Sequence, residues 1–67
     1  MTPLDDEAVQ KLRHDLRSPL VVIGGFAQLL AGDAPVDETE RRDYAARIAR
    51  AAEEINEIID RAVDKPG

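Results

Sequence analysis

A proline lies in the middle of the longest helical pattern in this chain of 67 residues. Inside a helix, Pro19 has no N–H to donate to the carbonyl of Asp15, and its ring collides with that carbonyl, at a cost of about 3 kcal/mol. An apolar register with steps of three and four nevertheless continues through it, at Val9, Leu12, Leu16, Pro19, Ile23, Phe26 and Leu30. Such spacing keeps one face of a helix apolar. The pattern therefore predicts one bent helix that contains the proline.

Two other structures remain open for this segment. A first helix could end near Arg17, and a second could begin with Ser18 as its N-cap and the proline at its first helical position. Residues 20–23, followed by two glycines, could instead form a short strand and a turn, because β-branched residues favour strands and glycine weakens a helix by about 1 kcal/mol. The chain offers no second strand as a partner, which disfavours the strand.

Helix boundaries are indicated by capping residues. Thr2 can cap a first helix with Pro3 at its first position, and Gly32 can end that helix as a left-handed C-cap. Asp37 and Glu40 have the spacing of a capping box that starts a second helix. Together these signals predict a helix at about residues 3–31, a loop at about 32–37 and a helix at about 38–64.

Both predicted helices carry more apolar surface than a single neighbour can cover. The second helix has one stripe at Tyr44, Ile48, Ala51, Ile55, Ile58 and Ala62 and an adjoining one at Ala45, Ala49, Ala52, Ile59 and Val63. The first helix adds Leu20, Val22, Ala27 and Leu29 to its main stripe. The short loop predicts an antiparallel hairpin. Because a chain this short, without cysteine, needs extra burial, we expect an all-α hairpin that forms a four-helix bundle as a homodimer.

The only histidine lies on the opposite side of the first helix. His14 is two positions from both Leu12 and Leu16, which turns it about 200° away from the apolar stripe. It heads a line of residues that should face solvent: His14, Ser18, Val21, Gly25 and Gln28. Imidazole titrates near neutral pH and can act as a nucleophile, and the neighbouring Asp15 could accept a proton from one ring nitrogen.

Composition excludes several classes of function. The net charge of -5, with one Tyr, one Phe and no Trp, disfavours a nucleic-acid binder. One histidine and no cysteine exclude a His/Cys zinc site, and we expect no metal. The longest apolar run, residues 19–27, is too short for a membrane span, and no secretion signal is visible. We therefore expect a soluble domain, and the absence of cysteine also fits a cytoplasmic location.

Residues 14–20, His-Asp-Leu-Arg-Ser-Pro-Leu, resemble the phosphoacceptor box of sensor histidine kinases, which belongs to their dimerisation and histidine-phosphotransfer domain. The likeness continues through residues 21–30, which match the usual continuation of the first helix. Residues 47–63 are similar to the second helix of the family, though less specifically. The resemblance thus covers nearly the whole chain.

The resemblance implies roles for individual residues. His14 would accept the γ-phosphoryl group of ATP and pass it to an aspartate of a response regulator. Asp15 would orient or deprotonate the ring, and Arg17 would offset phosphate charge. Ser18 stands where Thr or Asn commonly positions a water for dephosphorylation; serine keeps a hydroxyl but departs from that pattern. Pro19 would supply a bend in the helix.

The resemblance also implies partners. No cofactor is expected on this chain: ATP and Mg²⁺ would be held by a separate catalytic domain, and another Mg²⁺ by the receiver domain of the response regulator. The chain has no Gly-rich phosphate loop, so it should not be an active kinase alone. The docking face would include Val21, Gly25 and Gln28, although an exposed valine also occurs by chance. The competing interpretation is a structural dimerisation hairpin without chemistry.

Overall fold

The structure, a computed structural model, describes residues 5–63 as two helices joined by a short loop. Helix α1 spans Asp6–Ala31 and helix α2 spans Glu38–Val63. Phe26, near the end of α1, stacks on Tyr44, near the start of α2, with ring centroids 5.1 Å apart. At the other end Leu12 and Ile58 line the same groove. The helices are therefore antiparallel, and the predicted all-α hairpin is confirmed.

Helix α1 passes through Pro19 without interruption. The interpretations with a helix end near Arg17 or with a strand at residues 20–23 are therefore wrong. Pro19 is fully buried, with less than 2 % of its surface exposed. Its ring lies on the face that packs against α2, so the apolar contact offsets part of the penalty for the missing hydrogen bond. Tertiary packing thus overrides the local preference against a helix.

The core is the seam between the two helices. On α2 the centre of the seam is Ala51 and Ile58, which are buried. The remaining predicted seam residues are half-buried, except that Val9 is more exposed, at 37 %. Ala51 has a small side chain, which allows α1 to approach closely at the level of the proline. The spacing read from the sequence therefore identifies the faces that pack together.

The start of α1 differs from the prediction. Asp5 has an extended backbone and its carboxylate accepts a hydrogen bond from the Ala8 amide at 2.8 Å, so it is the N-cap of a helix that begins at Asp6. Aspartate is among the strongest capping residues, and its charge also favours the positive end of the helix dipole. The proposed cap at Thr2 and Pro3 lies outside the described residues.

The end of α1 also corrects a prediction. Gly32 has φ -76° and ψ 177°, an extended conformation, and not the left-handed one expected of a C-cap glycine. A Cβ atom at this position would lie 3.2 Å from the carbonyl oxygen of Gln28. Glycine therefore permits a close approach between the departing chain and the last turn of the helix.

The capping box at the start of α2 is confirmed. The Glu40 amide donates to Asp37 Oδ1 at 2.7 Å, and the Asp37 amide donates to Glu40 Oε1 at 3.1 Å. Two amide groups that would otherwise lack partners at the start of the helix are satisfied by each other's side chains.

The second apolar stripe of α1 is divided between two sides of the hairpin. Leu20 and Ala27 lie about 60° to 80° around the axis from the seam in one direction, whereas Val22 and Leu29 lie at a similar angle in the other. Val22 shares a groove with charged side chains of α2. We call that side the charged flank: Lys11, Asp15 and Val22 of α1 with Arg47, Arg50, Glu54 and Arg61 of α2, and Leu29, which the helical repeat places on the same side.

The other side of the hairpin is apolar on both helices. By the same helical geometry, the second stripe of α2 falls on the same side as Leu20. We call this surface the apolar flank: Val9, Leu20 and Ala27 of α1 with Ala45, Ala49, Ala52, Ile59 and Val63 of α2. Leu20 is 53 % exposed and Val63 52 %. The hairpin therefore leaves apolar side chains of both helices uncovered on this side, and Leu20 lies in a groove that Arg13 and Arg17 also line.

The capping box predicts a measurable contribution to stability. Replacing Asp37 by Ala removes the side-chain acceptor of the Glu40 amide and should lower the free energy of unfolding by about 1 kcal/mol. Asp37→Asn, which keeps an acceptor oxygen, should lose much less. Urea unfolding followed by circular dichroism, at one fixed protein concentration, checks both variants. Equal stability of the alanine and asparagine variants would contradict the assignment.

Candidate functional site

The predicted solvent-facing residues of α1 form an exposed line on the side opposite the seam. We call it the outer stripe: His14, Ser18, Val21, Gly25 and Gln28, all of which are exposed. The His14 side chain is 87 % exposed. Its position follows from the seam, because Leu12 and Leu16 on either side of it face α2 and direct it outward. The imidazole is therefore accessible to a large partner.

Asp15 connects this histidine to the charged flank. Its Oδ1 lies 3.5 Å from His14 Nδ1, at the outer limit of hydrogen-bond distance. Its Oδ2 accepts a hydrogen bond from Lys11 Nζ at 2.9 Å. Catalytic hydrogen bonds are often long before substrate binds and shorten only in the complex. With Nδ1 directed at Asp15, Nε2 is the ring nitrogen that faces away from the chain.

The charge on Asp15 is stabilised by these neighbours. The hydrogen bond from Lys11 is the largest cause that lowers the pKa of Asp15, and the hydrogen bond with His14 is the second. A carboxylate with a lowered pKa holds a proton weakly. At neutral pH Asp15 is thus suited to accept a hydrogen bond from Nδ1 and orient the ring, and is poorly suited to remove a proton completely.

Pro19 lies one turn beyond Asp15, on the buried side of α1. It is the one residue in the described helices whose missing N–H leaves a carbonyl, that of Asp15, without its usual backbone donor. The residue next to the exposed histidine therefore has a weakened backbone connection to the following turn. The predicted role of Pro19 in bending the helix stays a prediction.

Arg17 and Ser18 are both exposed. Arg17 does not lie beside Asp15: it borders a shallow groove with Arg13, next to the side chains of Leu20 and Val21. Ser18 lies on the outer stripe one turn after His14. The sequence-predicted residues thus divide into the outer stripe, with His14, and a basic edge, with Arg17. The chemical roles of these residues stay predictions.

Two charged residues near the histidine were missed by sequence reasoning. Lys11 binds the carboxylate of Asp15, and Arg13 stands beside Arg17. The spacing of four between Lys11 and Asp15 was a signal that could have been used, because such residues are neighbours on a helix. Arg13 had no comparable signal, since its groove depends on where Leu20 and Val21 lie.

Gly25, Val21 and Gln28 lie along the outer stripe beyond the proline. Val21 is 66 % exposed, an unusually large apolar exposure for this side of the helix. A Cβ atom built on Gly25, or on the adjacent Gly24, would have no neighbouring atom within 4 Å among the described residues. Internal packing therefore does not explain these glycines, although each weakens the helix by about 1 kcal/mol relative to alanine.

The described residues contain neither a cluster of metal ligands nor a membrane-spanning helix. Across residues 5–63, no three His, Cys, Asp or Glu side chains come close enough together to hold a metal ion. Neither α1 nor α2, as described, has an apolar stretch sufficient to cross a membrane.

Comparison with protein families identifies a domain family whose model matches most of the chain. The family model of the His Kinase A (phospho-acceptor) domain matches residues 5–64, which include both helices and the loop between them. The comparison with curated proteins and the comparison with solved structures each give no match.

Proposed function

The chain belongs to the family of His kinase A phosphoacceptor domains, and we propose that His14 receives a phosphoryl group from ATP and passes it to a response regulator. The observation that carries this proposal is the accessible imidazole: its side chain is 87 % exposed and its Nδ1 is directed at a carboxylate. Family membership supports a role in histidine kinases and two-component signalling. The residues and the steps are our proposal.

In the first step, the Nε2 lone pair of His14 attacks the γ-phosphorus of ATP held by a separate catalytic domain. An N–P bond forms, the bond from phosphorus to the bridging oxygen breaks, and ADP leaves with that electron pair. The Nδ1 proton stays on the ring, where Asp15 stabilises the positive charge that develops. The lowered pKa of Asp15 supports this orienting role over complete deprotonation.

In the second step, a carboxylate oxygen of the response regulator attacks the phosphorus, the N–P bond breaks, and Nε2 regains its lone pair. Mg²⁺ would be bound by the catalytic domain and by the receiver domain, and not by this chain. Arg17 lies near enough to the outer stripe to offset phosphate charge as a partner approaches. Because ATP is the donor, we propose that the domain works in the cytoplasm.

The apolar flank supports a homodimer. A second copy that covers this flank would bury Leu20, Ile59 and Val63 and would complete a four-helix bundle with a twofold axis. The charged flank is the less suitable surface, because its charges would lose hydration without assured partners. The outer stripe would remain in solvent, so dimerisation and phosphotransfer would use different surfaces.

Phosphorylation predicts a label that depends on His14. The chain, mixed with radiolabelled ATP and a histidine kinase catalytic domain, or with a small phosphoryl donor, should acquire an acid-labile, base-stable label. His14→Gln removes the nucleophile and should abolish it. Because His14 is the only histidine, any label that persists in this variant would contradict the assignment. Absence of label on the unmodified chain under every donor would favour the structural hairpin.

Dimerisation predicts different effects for two similar leucines. Leu20 lies on the apolar flank and Leu29 on the charged flank, and they are 53 % and 48 % exposed. Sedimentation equilibrium at micromolar concentration should give the mass of a dimer for the unmodified chain and for Leu29→Asp, but that of a monomer for Leu20→Asp. A monomeric unmodified chain, or two variants that behave alike, would contradict the proposed interface.

Docking of the response regulator predicts an effect at Val21. Val21→Glu places a charge on the apolar part of the outer stripe and should slow transfer of label from the chain to a receiver domain several-fold, with the mass of the dimer unchanged. Thr39→Glu, a matched change on an exposed position of α2, is the control. If both variants transfer at the rate of the unmodified chain, Val21 does not belong to the docking surface.

A further inference from the structure

Lys11 makes the shortest side-chain contact near the candidate site. Its Nζ lies 2.9 Å from Asp15 Oδ2, one turn along α1. The lysine side chain is 77 % exposed, whereas that of Asp15 is 36 % exposed. As a contribution to stability, such an exposed pair is worth little. What the Lys11 contact determines is therefore the orientation of the Asp15 carboxylate.

The two oxygens of Asp15 face two different partners. Oδ2 is held by Lys11, and Oδ1 is left directed at His14 Nδ1. The terminal torsion of an aspartate is broad and roughly two-fold, so the backbone alone does not fix this arrangement. By holding one oxygen, Lys11 fixes the torsion of the carboxylate and leaves the second, chemically equivalent oxygen directed at the imidazole.

A competing cation lies on α2. Arg61 lines the same groove as Lys11 and Asp15, together with Ile58 and Ala62. Without the lysine, Arg61 is the remaining cation among the residues that line this groove. Arginine has a long side chain with several donors, so it can compete for a carboxylate that the lysine no longer holds.

We propose that Lys11 is a positioning residue for His14: by holding Oδ2 of Asp15, it keeps Oδ1 directed at Nδ1 of the imidazole. Such a contact favours the tautomer that carries its proton on Nδ1 and its lone pair on Nε2. This inference rests on the proposed phosphoacceptor role of His14. The lysine does not touch the reacting atoms, and its effect passes through Asp15.

Three variants test the proposal. Lys11→Met keeps the length of the side chain and removes its charge, and Lys11→Arg restores a donor. Arg42→Met is the control, because Arg42 forms an exposed pair of the same spacing with Glu38, at 3.2 Å, on the other helix. The first measurement is the rate at which phosphoramidate phosphorylates the 67-residue chain, with all variants compared at one fixed pH.

Lys11→Met should lower this rate about three- to fivefold, the range expected for loss of one exposed ion pair. Lys11→Arg should recover most of it, and Arg42→Met should match the unmodified chain. The second measurement is the ¹⁵N spectrum of the ring, which reports the tautomer directly. Lys11→Met should shift the population away from the Nδ1-protonated form, an effect that a general loss of helix stability would not produce.

The outcomes separate this inference from the proposed function. A chain that is labelled at His14, but whose rate and ring spectrum do not change in Lys11→Met, would overturn the positioning role alone. An unmodified chain that takes no label would contradict the phosphoacceptor role. The ring spectrum would still show whether Lys11 sets the tautomer.

Discussion

The rotation of α1 about its own axis is the constraint on which the site depends. Leu12, Leu16 and Pro19 face α2, and a helix repeats every 3.6 residues, so the residue midway between the two leucines must point outward. A shift of the seam by one residue would turn α1 by about 100° and bring His14 onto a flank. His14 itself makes only a long contact with Asp15. The ring is therefore kept in solvent by the packing of the two helices and not by a hydrogen bond of the imidazole.

Features that depend on periodicity could be predicted from the sequence. The seam, the continuous α1, the capping box at Asp37 and the exposure of the outer stripe all follow from spacing along a helix. The structure keeps these features because the burial of a whole apolar face outweighs the low helix propensity of one residue such as Pro19. The all-α hairpin could therefore be derived before any coordinates.

Features that depend on competition between similar signals could not be predicted. Thr2 and Asp5 are both good caps, and the pattern alone does not rank them. Gly32 is compatible with either a left-handed turn or a close approach, since glycine permits both. The two flanks were merged into one stripe, although the helical repeat already places Leu20 and Val22 on opposite sides of the seam. Which charged residues of α2 lie beside Val22 could not be read from that repeat. The Lys11–Asp15 pair could have been predicted from its spacing of four, but the approach of Asp15 to His14 Nδ1 could not, because it depends on the side-chain torsions of both residues.

The two flanks of the hairpin have different physical properties. The apolar flank can exclude water with a second copy, whereas the charged flank keeps its ion pairs hydrated and holds Asp15 beside His14. His14 thus lies between the Lys11–Asp15 pair on the charged flank and the basic edge formed by Arg13 and Arg17 on the other side. The charge of its surroundings therefore differs between the two sides of the imidazole.

The proline and the two glycines fall within seven consecutive positions of α1, from Pro19 to Gly25. Each is a poor helix former, so this stretch is helical because α2 packs against it and not through its own preference. Helices commonly fray from their ends. If the seam loosens, this stretch should therefore lose its helical structure along with the ends of α1. Its order depends on contact with α2, although it lies at the centre of the helix.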